Sequence, residues 1–199
     1  MEDPVDFGPL IDGEFGAGVF ERVSRAAVDD VEQKLAVGNL VEAAFSAAHF
    51  CVLAGRVGWS EDTHDRMVDA LKSAASVEVQ AGRSNLAVWR GAYLRMLTQQ
   101  VAELDHQAVS AQRQELDDRL ASGDSSVVCA GMCVDVWLLT GEWAAPADVS
   151  RELVDAVRVD VEHRLRYTDN DAMTADRVTL WLLATSAARS RFGDGGQLR

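Results

Sequence analysis

The chain has 199 residues, of which 48% are hydrophobic, so it is long enough to bury a substantial core. Its formal net charge of −13 argues against binding to nucleic acid and to anionic membranes, because both surfaces carry dense negative charge. The chain has only three prolines and two tyrosines and is rich in Ala, Leu, Val and Glu, so we expect an all-α fold with about seven to eight helices.

Residues 1–17 combine two prolines, several glycines and acidic residues, which is typical of an extended N-terminal arm. The acidic residues stand where an export signal would have basic ones, so we expect a cytoplasmic protein. Phe7 and Phe15 are apolar positions of this arm. We expect them to bind in a groove on the same protein or on a neighbouring subunit.

The chain after the arm predicts three helices that are separated by glycines. The first spans residues 19–37 and is amphipathic, and Gly38 ends it. The second runs from Asn39 to Gly55 and is apolar on nearly all sides, which in a soluble protein predicts a central position. It is short for a membrane span and contains polar residues. The third spans residues 61–81.

An apolar stripe then continues over residues 85–120, which predicts a long fourth helix with a bend or break near 105–107. A second strongly apolar helix follows over residues 125–140. The sixth predicted helix spans residues 146–167 and opens on a proline, and a seventh completes the bundle. Residues 193–199 are glycine-rich and are expected to form a frayed tail.

The second half of the chain resembles the first half when 86 is added to each residue number. Helix ends and apolar stripes then fall in the same order in residues 18–104 and in residues 105–192. We therefore predict two diverged copies of a four-helix unit, packed about a pseudo-twofold axis within one compact domain. The matched positions include Val41 and Val127, Ala44 and Ala130, Leu53 and Leu139, Gly55 and Gly141, and Leu97 and Leu183.

His49 and Asp135 are polar residues in the middle of the two strongly apolar helices, and their numbers differ by 86. If a pseudo-twofold axis passes through these helices, the two side chains meet in the interior as a hydrogen-bonded pair. Burying such a pair costs free energy unless both groups are satisfied, so it predicts a functional binding site. The alternative is a histidine bonded to a backbone carbonyl and an aspartate that reaches solvent.

Two Glu-x-x-His segments, Glu61 to His64 and Glu103 to His106, each place a glutamate and a histidine on one helical face, as carboxylate-bridged di-iron bundles do. The segments lie at similar distances from the turn near Arg83, so antiparallel helices would bring them to one level. A complete site needs two further glutamates, and no spacing enforces them. We therefore predict no metal or other cofactor and keep this quartet as the alternative.

Cys129 and Cys133 lie one turn apart on an apolar helix. They are compatible with a soft-metal or redox site that includes His49, but small core residues are the more common interpretation. Together with Cys51 they are an odd number of cysteines within apolar helices, which is typical of reduced thiols in a cytoplasmic protein.

Arg158 and His163 have a spacing that helical ribonucleases use to position a ribose hydroxyl. The pattern is very short, and the net charge of −13 opposes an RNA substrate. We therefore favour the interpretation that both residues belong to a solvated helix face.

These observations favour a non-enzymatic helical interaction or scaffold protein that binds protein partners, including a second copy of itself. Its contact residues would be the apolar arm and the aromatic residues near helix ends, Trp59 and Trp143. The first alternative is an acidic inhibitor or immunity-type protein that blocks a basic partner, which a contiguous acidic surface would distinguish. The second alternative is an enzyme or sensor, marked by a polar cavity that reaches His49.

Overall fold

The computed structural model describes residues 6–54, 59–98 and 106–192. Within these ranges the chain forms nine α-helices and no strand, which confirms the prediction of an all-α fold. The helices are α1 (Gly8–Phe15), α2 (Val19–Ala36), α3 (Leu40–Ala54), α4 (Glu61–Gln80), α5 (Ser84–Thr98), α6 (His106–Ser122), α7 (Ser126–Thr140), α8 (Ala147–Tyr167) and α9 (Asp171–Phe192).

Residues 8–15, predicted as part of an extended arm, form the short helix α1 instead. Pro9 stands in its first turn, where the N–H that proline lacks would have no partner within the helix. Ile11 is fully buried, and the ring of Phe15 packs edge-on against Trp181 with 4.9 Å between the ring centroids. Ile11 and Phe15 therefore pack on their own chain, and burying them on one face favours a helix.

Asp12 caps the start of α2 from within α1. Its carboxylate accepts hydrogen bonds from the backbone N–H groups of Gly18 at 3.2 Å and Phe20 at 2.8 Å. These groups belong to the first turn of α2, where the helix itself provides no acceptors and negative charge is favourable. The cap thus joins α1 to the rest of the bundle.

We expect Asp12→Ala to lower the free energy of unfolding by about 1–2 kcal/mol, because two backbone N–H groups lose their acceptor. Urea denaturation at neutral pH measures the change. Asp69→Ala, at an exposed position within α4, is the control and should change the free energy by less than about 0.5 kcal/mol. Equal effects of the two substitutions would show that Asp12 does not act as a cap.

The long fourth helix predicted from the sequence is replaced by two helices. α5 ends at Thr98 and α6 begins at His106. Residues 99–105, which include the first residue of the predicted bend, lie outside the described residues. The predicted tail at 193–199 also lies outside them.

Helix boundaries elsewhere follow the sequence signals. The side chain of Asn39 accepts a hydrogen bond from the backbone N–H of Glu42 at 3.4 Å, as the predicted capping pair requires. Ser60 caps α4 by accepting from the N–H of Thr63 at 3.2 Å. Glycine takes the left-handed conformation after four helices without strain. These glycines are Gly38, Gly82, Gly123 and Gly141, with φ values of 75°, 67°, 72° and 76°.

The two most apolar helices, α3 and α7, lie at the centre of the bundle. α3 contacts α2, α4, α5 and α9, and α7 contacts α5, α6, α8 and α9. The contacts of α3 with α5, α5 with α7, α7 with α9 and α9 with α3 close a ring of four helices. Among the described helices, none is long and apolar enough to cross a membrane.

Candidate functional site

A cavity of about 270 Å³ is lined by residues of α3, α5, α7 and α9, the four helices of this ring. Ligand pockets commonly measure about 300–1,000 Å³, so this cavity lies just below that range and has room only for a small molecule. Apolar side chains, among them Trp89, Met96 and Leu138, cover much of the wall. Six polar or charged residues also line it, namely His49, Tyr93, Asp135, Asp176, Arg177 and Thr179.

Three of these residues form a chain of hydrogen bonds across the cavity wall. His49 Nδ1 lies 3.0 Å from Asp176 Oδ1, and His49 Nε2 lies 2.8 Å from the hydroxyl oxygen of Tyr93. An ionised carboxylate only accepts, so Nδ1–H donates to Asp176 and, in the neutral imidazole, Nε2 accepts from the Tyr93 hydroxyl. The chain fixes the orientation of the His49 ring, and α3, α5 and α9 each contribute one residue to it.

The charges around this chain keep Asp176 ionised and Tyr93 neutral. Burial works to raise the pKa of Asp176, but the hydrogen bond from His49 and the positive charges of Lys34 and Arg177 oppose it, and that pKa lies below its usual value. Burial raises the pKa of Tyr93, and the negative charges of Asp135 and Asp176 raise it further. Tyr93 therefore keeps its proton at any physiological pH.

Asp135 differs from Asp176 because it has no partner. No hydrogen bond or ion pair to its carboxyl group is found within residues 6–54, 59–98 and 106–192. Burial raises the pKa of Asp135 from 3.8 to about 8. A carboxyl group held without a partner in a cavity is costly to the fold, and such groups are enriched at functional sites.

Thr179 is a second unsatisfied polar group in the same wall. It is fully buried, and its Oγ1 has no hydrogen-bond partner in the described part of the chain. Gly131 of α7 also lines the cavity, and a Cβ placed on it would meet nothing within 4 Å. The cavity therefore contains an unpartnered acceptor, an unpartnered hydroxyl and open space where a side chain is missing.

The sequence predicted that His49 and Asp135 meet in the interior as a pair. Both do line one cavity, but the hydrogen-bond partners of His49 are Tyr93 and Asp176. Tyr93 lies on α5 and Asp176 on α9, outside the two apolar helices from which the pair was predicted. Whether His49 and Asp135 act together in binding stays a prediction.

Sequence reasoning missed Tyr93, Asp176 and Thr179, which lie on helices whose other positions fit an ordinary apolar stripe. Gly131 carried a usable signal, because a glycine in the middle of an apolar helix costs about 1 kcal/mol relative to alanine. That cost predicts either a close approach of backbone or an open space. The structure shows open space.

The aromatic residues predicted to bind a partner pack against their own chain. Phe7 and Phe15 pack on the same core cluster as Trp181. Trp59 is half-buried, with its ring centroid 6.0 Å from that of Phe50. Trp143 is 5% exposed, and its indole N–H donates to Ser150 Oγ at 2.9 Å. A role of these residues in partner binding stays a prediction.

The alternative metal quartet is placed only in part. Glu61 and His106 are exposed at the starts of α4 and α6, and His64 Nε2 lies 3.3 Å from the carbonyl oxygen of Leu97. Glu103 lies outside the described residues. Among the residues that the structure describes, no group of three or more His, Cys, Asp or Glu side chains could hold a metal ion.

The cysteine pair lies in the core. Cys129 and Cys133 are fully buried, and burial raises the pKa of both thiols, that of Cys133 to about 12. A thiol that stays protonated is a poor nucleophile and a poor metal ligand. All three cysteines are free thiols. The structure therefore favours the interpretation that Cys129 and Cys133 are core residues.

The Arg158 and His163 motif belongs to an exposed helix face. The Arg158 guanidinium lies within ion-pair distance of Glu14, Asp155 and Glu162. His163 is exposed and packs its ring against Tyr167. Arg158 is thus surrounded by carboxylates, which disfavours a role in binding an RNA phosphate.

Several acidic residues of the described surface form ion pairs with basic residues. Arg119 pairs with Glu115 and Asp124, Arg113 pairs with Glu142, and further pairs join residues along α2 and α8. A contiguous acidic face is the feature that an inhibitor of a basic partner would need. Whether the protein blocks a basic partner stays a prediction.

No family model, curated protein or solved structure matches this chain. The residues of the cavity are therefore the remaining indication of function.

Proposed function

We propose that this protein binds a small organic molecule in the cavity between α3, α5, α7 and α9, as a sensor or carrier. The observation that carries this proposal is a pair of polar groups without a partner among the described residues, the half-buried Asp135 carboxyl and the buried Thr179 hydroxyl, in a cavity of about 270 Å³. Unsatisfied buried groups cost the fold free energy, and a bound ligand that bonds to them recovers that free energy.

Binding is favoured over catalysis by the state of the candidate reactive groups. The Tyr93 hydroxyl is neutral and donates to His49, and the other nitrogen of His49 is held by Asp176. A strong nucleophile or a free general base is therefore missing from this chain of three residues. Its residues orient one another and present a fixed surface to a ligand.

The test compares ligand binding to the wild-type protein and to Gly131→Leu. A leucine at Gly131 places its side chain in the open space beside the backbone of α7 and fills part of the cavity. A library of small cationic, neutral and anionic compounds is screened by thermal shift, and the hits are measured by calorimetry. We expect hits that raise the thermal unfolding midpoint of the wild-type protein. These compounds should bind Gly131→Leu at least about tenfold more weakly than they bind the wild-type protein.

Gly13→Leu is the matched control, because Gly13 is also helical and a Cβ there also meets nothing within 4 Å, but it lies on the exposed side of α1. Hits should bind this variant as they bind the wild-type protein. A screen without hits contradicts the proposal. Hits that bind Gly131→Leu as tightly as the wild-type protein contradict it as well.

We further propose that the fold arose by duplication of a four-helix unit. Matching α2 to α6, α3 to α7, α4 to α8 and α5 to α9 turns each helix contact of one half into a contact of the other half. For example, α2 with α9 corresponds to α6 with α5, and α5 with α7 corresponds to α9 with α3. Among the more extensive contacts of the described helices, only that of α1 with α2 has no counterpart. Superposition of the two halves helix by helix tests this proposal.

Self-association in the cytoplasm is the second candidate function. Three exposed apolar side chains near the turn between α4 and α5 support it. They are Val77, Val79 and Leu86, with exposed fractions of 54%, 49% and 39%. If these side chains form one contiguous apolar patch, that patch is a candidate contact surface. Light scattering of the wild-type protein tests this candidate, which a strictly monomeric mass would eliminate.

A further inference from the structure

We infer that the ligand is a small organic cation, an amine attached to an aromatic or similarly flat apolar body. The inference rests on the proposed ligand-binding function and on the proposed duplication. It follows from comparing the two sides of the cavity, which the offset of 86 residues places in equivalent positions.

The first half of the chain has aromatic side chains on its side of the four-helix ring. The ring of Phe45 stacks on Trp89 with 4.5 Å between centroids, and Tyr93 packs edge-on against Phe45 at 4.9 Å. Tyr93 also reaches His49 with its hydroxyl at 2.8 Å. These four side chains form a continuous, hydrogen-bonded cluster.

The second half has small side chains at the three equivalent aromatic positions. Adding 86 places Gly131 at the position of Phe45, Ala175 at that of Trp89 and Thr179 at that of Tyr93. Gly131 and Thr179 line the cavity. The cavity is therefore the space that aromatic rings occupy in the first half, and an aromatic ligand has the shape to fill it.

The polar ends of the two clusters are equivalent as well. His49 corresponds to Asp135, and Tyr93 corresponds to Thr179. His49 and Tyr93 bond to each other directly, whereas Asp135 and the Thr179 hydroxyl have no partners in the described residues. Threonine is too short to replace the tyrosine ring, so a ligand donor group has room to bond with both.

The charge of the cavity selects a cation over an anion. Asp135 and Asp176 are both acidic, and of the arginines and lysines in the described ranges only Arg177 lines the wall, with its Nε 3.1 Å from Asp160. An ammonium group neutralises Asp135 and donates hydrogen bonds to it and to Thr179 Oγ1. The rings of Trp89 and Tyr93, which also line the cavity, offer favourable faces to a positive charge.

Three compounds of nearly the same shape test the inference, namely phenethylamine, phenethyl alcohol and hydrocinnamate, as cation, neutral molecule and anion. Calorimetry on the full chain measures their affinities at pH 8. We expect phenethylamine to bind at least about tenfold more tightly than the other two, since one charge-assisted hydrogen bond accounts for such a ratio. Asp135→Asn and Thr179→Val should each reduce this preference, and Asp69→Asn, at an exposed site, should not.

The pH dependence provides a readout that shape alone would not produce. The groups that face Asp135 across the cavity are His49 from α3, Tyr93 from α5, and Asp176 and Arg177 from α9. Asp135 must release its proton to pair with the amine, so the affinity for phenethylamine should rise with pH up to about 8 in the wild-type protein. It should be much less dependent on pH in Asp135→Asn.

The outcomes separate this inference from the proposed function. If the alcohol or the carboxylate binds as tightly as the amine, and Gly131→Leu abolishes that binding, the cavity is a ligand site but not a cation site. If none of the three binds while the screen yields cavity hits of other chemistry, the inference fails alone. If neither the screen nor this series gives binding, both fail.

Discussion

Replacing Asp135 by asparagine is expected to stabilise the protein at neutral and alkaline pH. The wild-type carboxyl group lines the cavity half-buried and has no partner among the described residues, and burial raises its pKa from 3.8 to about 8. Asparagine has nearly the same shape and cannot ionise, so the cost of ionising a buried acid disappears. At pH 8 we expect a gain of roughly 2–4 kcal/mol, below the full value of about 1.4 kcal/mol for each pKa unit because the amide is also incompletely bonded.

The sign follows from proton linkage. Between pH 3.8 and about 8 the folded protein holds the Asp135 proton and the unfolded chain has released it. The contribution of Asp135 to stability is therefore fully present below pH 3.8 and is lost as the pH rises to about 8. The difference between Asp135→Asn and the wild-type protein should widen over this interval and stay constant above it.

Urea denaturation at several pH values between 4 and 9 measures this difference. Asp69→Asn is the control, because Asp69 is exposed on α4 and the substitution removes the same charge. A difference for Asp135→Asn that does not change with pH would mean that Asp135 is ionised in the folded protein throughout. A variant that is stabilised and has lost its preference for an amine would show that the unpartnered acid serves binding at the cost of stability.

The fold could be predicted largely from local sequence signals. Helical periodicity, the glycine stops at Gly38, Gly123 and Gly141, and the capping residue Asn39 act within a few residues of the chain, so they are legible in the sequence. The arm was the exception. Residues 8–15 contain proline and glycines, yet burial of Ile11 and packing against Trp181 override this composition.

The candidate site could be predicted only in part, for a different physical reason. His49 and Asp135 stood out because each is polar within an apolar helix, and both line the cavity. The partners of His49 come from distant helices, and no local pattern in the sequence shows which residues of α5 and α9 will face it. The cavity itself results from missing volume, and a sequence shows missing volume only indirectly, as at Gly131.

Glu78 illustrates the same limit for a stabilising contact. In the sequence it stands between Val77 and Val79 near the end of a helix and looks like a surface charge. In the structure its side chain is 5% exposed, it pairs with Arg83, and Arg90 Nη1 lies 2.7 Å from its Oε1. These pairs join the end of α4 to α5. Only the packed hairpin brings the three charges together.

We expect Glu78→Gln to cause the largest loss of stability at neutral pH of any single charge-to-neutral substitution on the described helices. The substitution leaves Arg90, whose side chain is 19% exposed, without its counter-charge. Arg90 also donates to the backbone carbonyl of Ala74 at 2.7 Å, so it cannot move to solvent without breaking a second contact. Removing one partner of a buried ion pair is strongly destabilising, because the remaining charge stays desolvated.

The contribution of Glu78 to the free energy of unfolding should depend on pH in the opposite direction from the contribution of Asp135. The hydrogen bond from Arg83, followed by the charges of Arg90 and Arg83, outweighs burial and holds the pKa of Glu78 below its ordinary value of 4.5. The unfolded chain therefore takes up this proton at higher pH than the folded protein does, so the stabilisation is present above pH 4.5 and is lost as pH falls through the folded pKa.

Urea midpoints of Glu78→Gln and the wild-type protein should thus differ most at neutral pH and converge under acidic conditions. Glu152→Gln, at an exposed position of α8, is the matched control and should show a several-fold smaller change at neutral pH. If the two variants lose the same stability, the pairs with Arg83 and Arg90 contribute no more than a surface contact. If the loss from Glu78→Gln persists unchanged in acid, it comes from packing of the side chain and not from its charge.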